Sequence, residues 1–171
     1  MREFNASLDK KTKRLTLLGF GMFFLILISF YPQIEKNSER GLTMLYLLIA
    51  IFVLSYVLPY LFRPLKYTVT SDELIVKRLI KPYVIKLSEI KKIREISEEE
   101  LKGTKRIFGS GGVFGYFGKF RNKNFGTMTF LTTRTDNRVY ILTAEGKNIV
   151  LSPDDSEEFV KTIAARINGE G

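Results

Sequence analysis

The chain has 171 residues, and its 27 Lys and Arg against 18 Asp and Glu give a formal net charge of +9. It contains neither cysteine nor histidine. This composition excludes disulfides, thiol chemistry, zinc sites built from Cys and His, and imidazole catalysis, so we predict a non-enzymatic protein with no cofactor and no metal site.

Two long apolar runs occupy the first third of the chain. Leu15–Pro32 and Leu42–Phe62 contain no charged side chain. About 20 apolar residues of helix cross a hydrocarbon core that is about 30 Å thick, and both runs approach that length. We therefore predict a transmembrane helical hairpin over 15–32 and 42–62. The alternatives are two buried core helices, or a signal peptide in the first run.

The charged residues around these runs predict their orientation. The segment 1–14 is basic, Arg63 and Lys66 follow the second run, and the connection Gln33–Gly41 has no net charge. Positive flanks remain on the cytoplasmic side of a membrane. We therefore expect an integral protein of the cell inner membrane with two spans, a basic cytoplasmic N-terminal segment at 1–14, and both termini in the cytoplasm.

After the second run the sequence changes to short alternating stretches separated by turn residues. Alternation of apolar and polar residues is typical of half-buried strands, and about seven such strands predict an antiparallel sandwich or barrel. The predicted strands are Leu65–Thr70, Leu74–Leu79, Tyr83–Leu87, Ile90–Ile96, Thr127–Thr133, Val139–Thr143 and Asn148–Leu151. In the fourth strand the apolar residues recur at every third position, which fits either a helix or an irregular strand.

The last segment predicts an amphipathic helix. Ser152 precedes Pro153, the order typical of an N-cap followed by the first helical position. Five apolar residues then recur at helical spacing on one face: Phe159, Val160, Ile163, Ala164 and Ile167. We predict that this helix caps an all-β domain over residues 63–171.

Glycines and aromatic residues alternate in the stretch FGSGGVFGYFGKF at Phe108–Phe120. The stretch fails both common nucleotide-binding motifs. Phe114 replaces the last glycine of G-x-G-x-x-G, and Phe120 replaces the hydroxyl residue of G-x-x-x-x-G-K-[ST]. We predict that Ser97–Gly126 forms a long loop, and loops of that length are commonly functional.

Three interpretations of this loop remain open. Its aromatic side chains could cover one end of the sandwich, enter a membrane interface beside basic residues, or contact a protein partner. The candidate membrane or partner contacts are Phe114, Tyr116, Phe117, Lys119, Phe120, Arg121 and Lys123.

Seven strands followed by one closing helix resemble the pleckstrin-homology (PH) plan. The stretches FGSGGVFGYFGKFRNKNFG at Phe108–Gly126 and ILTAEGKNIVLSPDDSEEFVKTI at Ile141–Ile163 resemble the bacterial PH-domain family. A preceding pair of membrane spans also resembles that family's usual layout. The resemblance covers about residues 63–167 and implies a PH-like domain on the cytoplasmic side. It implies little about a ligand, because a fold does not determine a function.

These patterns together predict a membrane-anchored binding or scaffold module. We expect its PH-like domain to contact protein partners or anionic lipid headgroups at the inner membrane surface. The alternative is a structural subunit of a homo- or hetero-oligomeric membrane complex. Nucleic acid is not an expected partner, because no recognition motif or basic helix stripe accompanies the positive charge.

Overall fold

Both predicted spans are helical in the computed structural model, which describes residues 1–35, 39–167 and 169. Helix α1 covers Lys10–Glu35, and α2 covers Glu39–Phe52. The second run continues through a π-helical turn at Val53–Val57 into α3 at Leu58–Phe62. Part of the predicted connection between the spans, residues 36–38, lies outside the described residues.

These helices have the length and the exposure that a bilayer requires. Lys10–Pro32 and Glu39–Phe62 are long and apolar enough to cross a membrane. In the most apolar 18-residue stretch of each helix, only 6% and 17% of the residues, respectively, are buried. The core helix of a soluble protein would be mostly buried, so the observed exposure disfavours the core-helix alternative.

The two helices pack on each other through aromatic rings and one glycine. The rings of Phe20 and Tyr56 lie 4.4 Å apart, and those of Phe23 and Phe52 lie 5.0 Å apart. A Cβ atom on Gly19 would collide with the hydroxyl of Tyr56. Gly19 therefore leaves room for the Tyr56 side chain at the contact between the two helices.

In the described part of the chain, ten strands form two sheets, and a C-terminal helix, α4 at Ser156–Ile167, closes the fold. One sheet has the order β1-β2-β3-β4, and the other has the order β5-β9-β10-β8-β7-β6. The strands are β1 Arg2–Asn5, β2 Lys66–Val69, β3 Glu73–Lys77, β4 Tyr83–Lys86, β5 Ile90–Glu95, β6 Lys105–Gly111, β7 Tyr116–Asn122, β8 Gly126–Thr132, β9 Val139–Thr143 and β10 Asn148–Leu151. All seven predicted strands and the final helix are confirmed. Strands β10 and β8 pair in parallel, unlike the antiparallel arrangement that was predicted.

The spacing of three in the fourth predicted strand has a structural cause. Ile90 pairs with Thr143 and Ile93 pairs with Ile141, with a register shift after Ile90. A bulge inserts one extra residue into a strand and changes which side chains point inward. The segment is therefore strand β5 and not a helix.

The N-terminal segment supplies a strand that the sequence patterns did not predict. Residues Arg2–Asn5 pair antiparallel with Lys66–Val69, immediately after the second long helix. Phe4 is buried, and its ring contacts that of Phe159 edge-on at a centroid distance of 5.0 Å. The chain on both sides of the helical hairpin thus belongs to one sheet.

The region predicted as a loop at Ser97–Gly126 is mostly a β-hairpin, which corrects that prediction. Strands β6 and β7 pair antiparallel, with Gly109 directly opposite Gly118. Both glycines have positive φ, at 108° and 121°. In a sequence pattern, glycine usually predicts the end of a strand. Here the two glycines instead permit the backbones of β6 and β7 to approach closely.

The core between the two sheets is closed by α4. Phe159 and Ile163 are fully buried beneath that helix. Tyr67, also fully buried, donates its hydroxyl to the carbonyl of Leu131 at 2.7 Å and so joins the two sheets. Burial raises the pKa of Tyr67 to about 12, although the backbone N–H of Ser152 donates to its oxygen.

The predicted N-cap of the last helix is wrong. Helix α4 begins at Ser156, and the carboxylate of Asp155 accepts the N–H of Glu158 at 3.0 Å. The hydroxyl of Ser152 instead accepts the N–H of Thr133 at 2.9 Å. Asp155 therefore serves as the cap, because a cap side chain must reach an N–H of the first helical turn.

Candidate functional site

The tip of the β6–β7 hairpin contacts the beginning of α1 and the end of α3. The backbone N–H of Phe114 donates to the hydroxyl of Thr16 at 3.0 Å. The ring of Phe114 lies 5.3 Å from that of Tyr60 and 6.4 Å from that of Phe20. The guanidinium of Arg63 is 5.8 Å from the centroid of the Phe114 ring. Phe114 is therefore used to join the domain to its own helices.

Two of the candidate contact residues lie in the interior. Phe117 and Phe120 are 7% and 6% exposed. Phe120 stacks on Phe130 at a centroid distance of 4.4 Å, in a second core on the outer face of the six-stranded sheet. A bilayer or a partner would not reach these two rings in this fold, so the surface proposed below does not include them.

Tyr116 is partly buried beside a cation. The guanidinium of Arg138 lies 5.6 Å from the centroid of the Tyr116 ring and 5.8 Å from that of Phe130. Burial raises the pKa of Tyr116 and lowers the pKa of Arg138. This arrangement is a packed cation–π contact within the domain, so Tyr116 is also left out of the proposed surface.

The three candidate cations are exposed. Lys119, Arg121 and Lys123 lie on or next to β7, and the ammonium of Lys119 donates to the hydroxyl of Thr129 at 2.8 Å. Lys119 and Arg121 lie directly opposite Phe108 and Lys105 on the neighbouring strand. Pairing with β6 thus brings positive charge to the edge of the six-stranded sheet.

The structure adds two exposed apolar residues that the sequence reasoning missed. Ile107 and Phe108 on β6 are 58% and 78% exposed. A register shift between Arg106 and Phe108 interrupts the inward and outward alternation of this strand. The adjacent apolar pair after Lys105-Arg106 was the available signal, but the long-loop prediction obscured it. We call Lys105, Ile107, Phe108, Lys119 and Arg121 the β6 edge patch.

The turn between β3 and β4 carries two exposed apolar residues that the sequence reasoning did not single out. Leu79 and Ile80 are 51% and 42% exposed. The N–H of Ile80 donates to the carbonyl of Leu61 at 3.3 Å, and the guanidinium of Arg78 is 5.9 Å from the ring centroid of Phe62. Two large apolar side chains therefore lie beside the end of the second long helix.

The segment between β1 and α1 is also held by the domain. Asp9 caps α1 by accepting the N–H of Thr12 at 2.6 Å, and it accepts both the N–H and the hydroxyl of Thr135 at 2.8 Å. Burial acts to raise the pKa of Asp9, but the hydrogen bonds from Thr12 and Thr135 outweigh it and lower the pKa to about 2. The charged carboxylate of Asp9 therefore links α1 to the domain through hydrogen bonds.

Comparison with known proteins identifies the domain. The bacterial PH domain family matches residues 65–167, which is more than half of the chain. No curated protein and no solved structure matches the chain. The matched range begins just before β2 and ends with α4, so the two long helices and β1 precede it. On this match, and on the sandwich with its closing helix, the chain belongs to the bacterial PH domain family.

Proposed function

We propose that this protein is a membrane-anchored, non-enzymatic binding module that holds its PH-like domain against the cytoplasmic face of the inner membrane. PH domains are typically non-catalytic binding modules, which supports the general class. The observation that carries the proposal is the double attachment of the helical hairpin. Strand β1 precedes α1 and strand β2 follows α3, and β1 and β2 pair with each other.

This attachment restricts how the domain can move relative to the bilayer. The contact of Phe114 with Thr16, and that of Ile80 with Leu61, add two further points of attachment. Exposed Leu79 and Ile80 would then lie at the interface, where apolar side chains stabilise membrane contact. A domain held in this way meets other molecules on the same surface at a high effective concentration.

The β6 edge patch supports a protein partner for this module. Among the strands that the structure describes, β6 is the last of its sheet, and one side of its backbone has no neighbouring strand there. An extended peptide can add to such an edge, and side chains beside it provide specificity. The positive charge of Lys105, Lys119 and Arg121 favours a partner segment that carries acidic residues. The same charge opposes pairing of this edge with a second copy.

Labelling of single cysteines tests the orientation of the membrane hairpin. The chain has no cysteine, so each introduced thiol is the only reactive site. We expect Arg40→Cys to react with a membrane-impermeant maleimide in intact cells, because Arg40 lies at the outer end of α2. Lys123→Cys should react only after lysis, and the unsubstituted chain serves as the control. Reaction of Lys123→Cys in intact cells would contradict the orientation.

Photo-cross-linking tests the partner surface. We expect p-benzoylphenylalanine at Phe108 to give one discrete protein adduct in cell membranes, and we expect Lys119→Glu to weaken it by reversing the charge. The control position is Ile167, which is 40% exposed on α4, an element that packs on β5 at the opposite edge of the sheet. An adduct with the mass of two copies would support the oligomeric alternative instead. An adduct with lipid alone would remove the protein partner from the proposal.

A further inference from the structure

A cleft opens where both membrane helices meet the domain. Its volume is about 270 Å³, and its walls come from Ala6–Leu8, Lys13, Arg63–Leu65 and Thr133. The N–H of Ala6 donates to the carbonyl of Leu65 at 3.3 Å, so the segments before α1 and after α3 close one side of the cleft together. The cleft therefore depends on the double attachment of the hairpin.

Two cations in this cleft have donor capacity that the protein does not use. The Nε atom of Arg63 is buried and has no hydrogen-bond partner among the described residues. The guanidinium lies 4.7 Å from the ring centroid of Tyr60, and an aromatic face holds a guanidinium without occupying its N–H donors in the guanidinium plane. Within the part of the chain that the structure describes, no carboxylate lines the cleft beside Lys13 and Arg63. An anion in the cleft would accept charge-assisted hydrogen bonds from the ammonium of Lys13 and the guanidinium of Arg63, and such bonds are stronger than those between neutral groups.

Two acidic side chains adjoin residues of the cleft wall, and both have other partners: Asp9 follows Leu8, and Asp154 contacts Ser7. Asp9 accepts hydrogen bonds from Thr12 and Thr135. Asp154 accepts the hydroxyl of Ser7 at 2.6 Å and the guanidinium of Arg134 at 3.0 Å. Neither carboxylate forms a hydrogen bond or salt bridge with the two cations of the cleft among the described residues. The site thus keeps its positive charge.

The position of the two cations along the chain indicates which anion is present there. Lys13 precedes the charge-free run that begins at Leu15, and Arg63 follows Phe62, the last residue of α3. Both cations therefore lie at one boundary of the predicted hydrocarbon layer. Lipid phosphates occupy the zone about 5–8 Å thick outside that layer. Basic pockets beside membrane helices on the cytoplasmic side bind anionic headgroups.

We propose that this cleft binds the phosphate group of an anionic phospholipid headgroup from the surrounding leaflet, with Arg63 and Lys13 as its cationic contacts. The bound lipid would stabilise the contact between the helices and the domain. This inference rests on the membrane-anchoring part of the proposed function and is independent of the β6 edge patch.

Native mass spectrometry of the full chain in detergent micelles tests the site. The probes are phosphatidylglycerol, phosphatidylcholine and free glycerol 3-phosphate. We expect phosphatidylglycerol to bind most tightly, and we expect Lys13→Gln with Arg63→Gln to weaken its binding about tenfold or more. The matched control is Lys11→Gln with Arg14→Gln, which removes the same total charge from the first turns of α1, beside Lys13 but outside the cleft. This control should change the affinity by less than about twofold.

Each other outcome would overturn the proposal. An equal loss in both double variants would indicate diffuse attraction to positive charge, and equal binding of the two lipids would exclude a site for an anionic headgroup. Binding of glycerol 3-phosphate as tight as that of the lipid would assign the cleft to a soluble phosphate ester. If Arg63→Gln disturbs folding, Lys13→Gln alone tests the site, because Lys13 is at an exposed helix position. This single substitution should weaken phosphatidylglycerol binding about threefold or more. Cysteine labelling reports the membrane orientation separately, so failure of the lipid site leaves that test unaffected.

Discussion

Replacing residues 10–62 with a short Gly-Ser linker should give a folded, soluble domain, whereas deleting residues 1–62 should not. The linker variant retains β1, whose partner is β2. Its two ends are close together, because Ala6 and Leu65 are hydrogen-bonded and Leu8 and Arg63 line the same cleft. A linker of about six residues spans roughly 20 Å, which is sufficient.

The deletion removes an entire strand and a core side chain. Phe4 is buried against Phe159, and loss of a buried phenylalanine side chain costs about 3–5 kcal/mol. Domains of this size have a total stability of about 5–15 kcal/mol, and the deletion also exposes the edge of β2. We therefore expect the fragment 63–171 to be largely unfolded or aggregated.

Thermal unfolding followed by circular dichroism, with sedimentation velocity, measures the difference. The linker variant should unfold cooperatively as a monomer. Within it, Phe4→Ala should lower the free energy of unfolding by about 3 kcal/mol or more, whereas Asn5→Ala, at an exposed position on the same strand, should change it by less than about 0.5 kcal/mol. A fragment 63–171 that melts at the same temperature as the linker variant would show that β1 is dispensable.

Gly118→Ala should destabilise the β6–β7 hairpin by about 3 kcal/mol or more. The φ of Gly118 is +121°, a conformation that costs a residue with a side chain about 1–3 kcal/mol. In addition, a Cβ atom on Gly118 would lie 2.9 Å from the Cα of Gly109 and would collide with the carbonyl oxygen of Phe108. Both obstacles are backbone atoms, which cannot rotate aside, so the strands would have to separate.

The matched control is Gly126→Ala at the first residue of β8. Gly126 also has a positive φ, +68°, but no other described residue has an atom within 4 Å of the position its Cβ would take, its chain neighbours aside. This substitution should lower the free energy of unfolding by only about 1 kcal/mol, because the unfavourable backbone conformation is its only cost. Denaturant unfolding of the linker variant compares the two. A loss for Gly118→Ala no greater than that for Gly126→Ala would show that the close approach of the strands does not restrict this position.

Local patterns in the sequence were sufficient for the elements that depend on neighbours along the chain. The two long apolar helices follow from runs without charge, and seven strands follow from alternation with turn residues between them. The period of Phe159 and Ile163 predicted the closing helix correctly. These features could be predicted because each is determined by the periodicity of a few adjacent residues.

Strand β1 and the β6–β7 hairpin were missed because they depend on distant partners. Arg2–Asn5 is a strand only because Lys66–Val69 pairs with it across the whole helical hairpin. Gly109 and Gly118 form a strand pair only because each faces the other, and alone each indicates a loop.

The candidate site, too, was predicted from the sequence only in part. The sequence by itself determined that a basic, aromatic and glycine-rich segment lies in a domain next to two apolar helices. Only the tertiary structure decided that Phe114 packs on the helices, that Phe117 and Phe120 are buried, and that Phe108 is exposed. The physical reason is that strand pairing and the bulge in β6 set the direction of each side chain. Coverage of both faces of the six-stranded sheet then determines which of these side chains remain accessible.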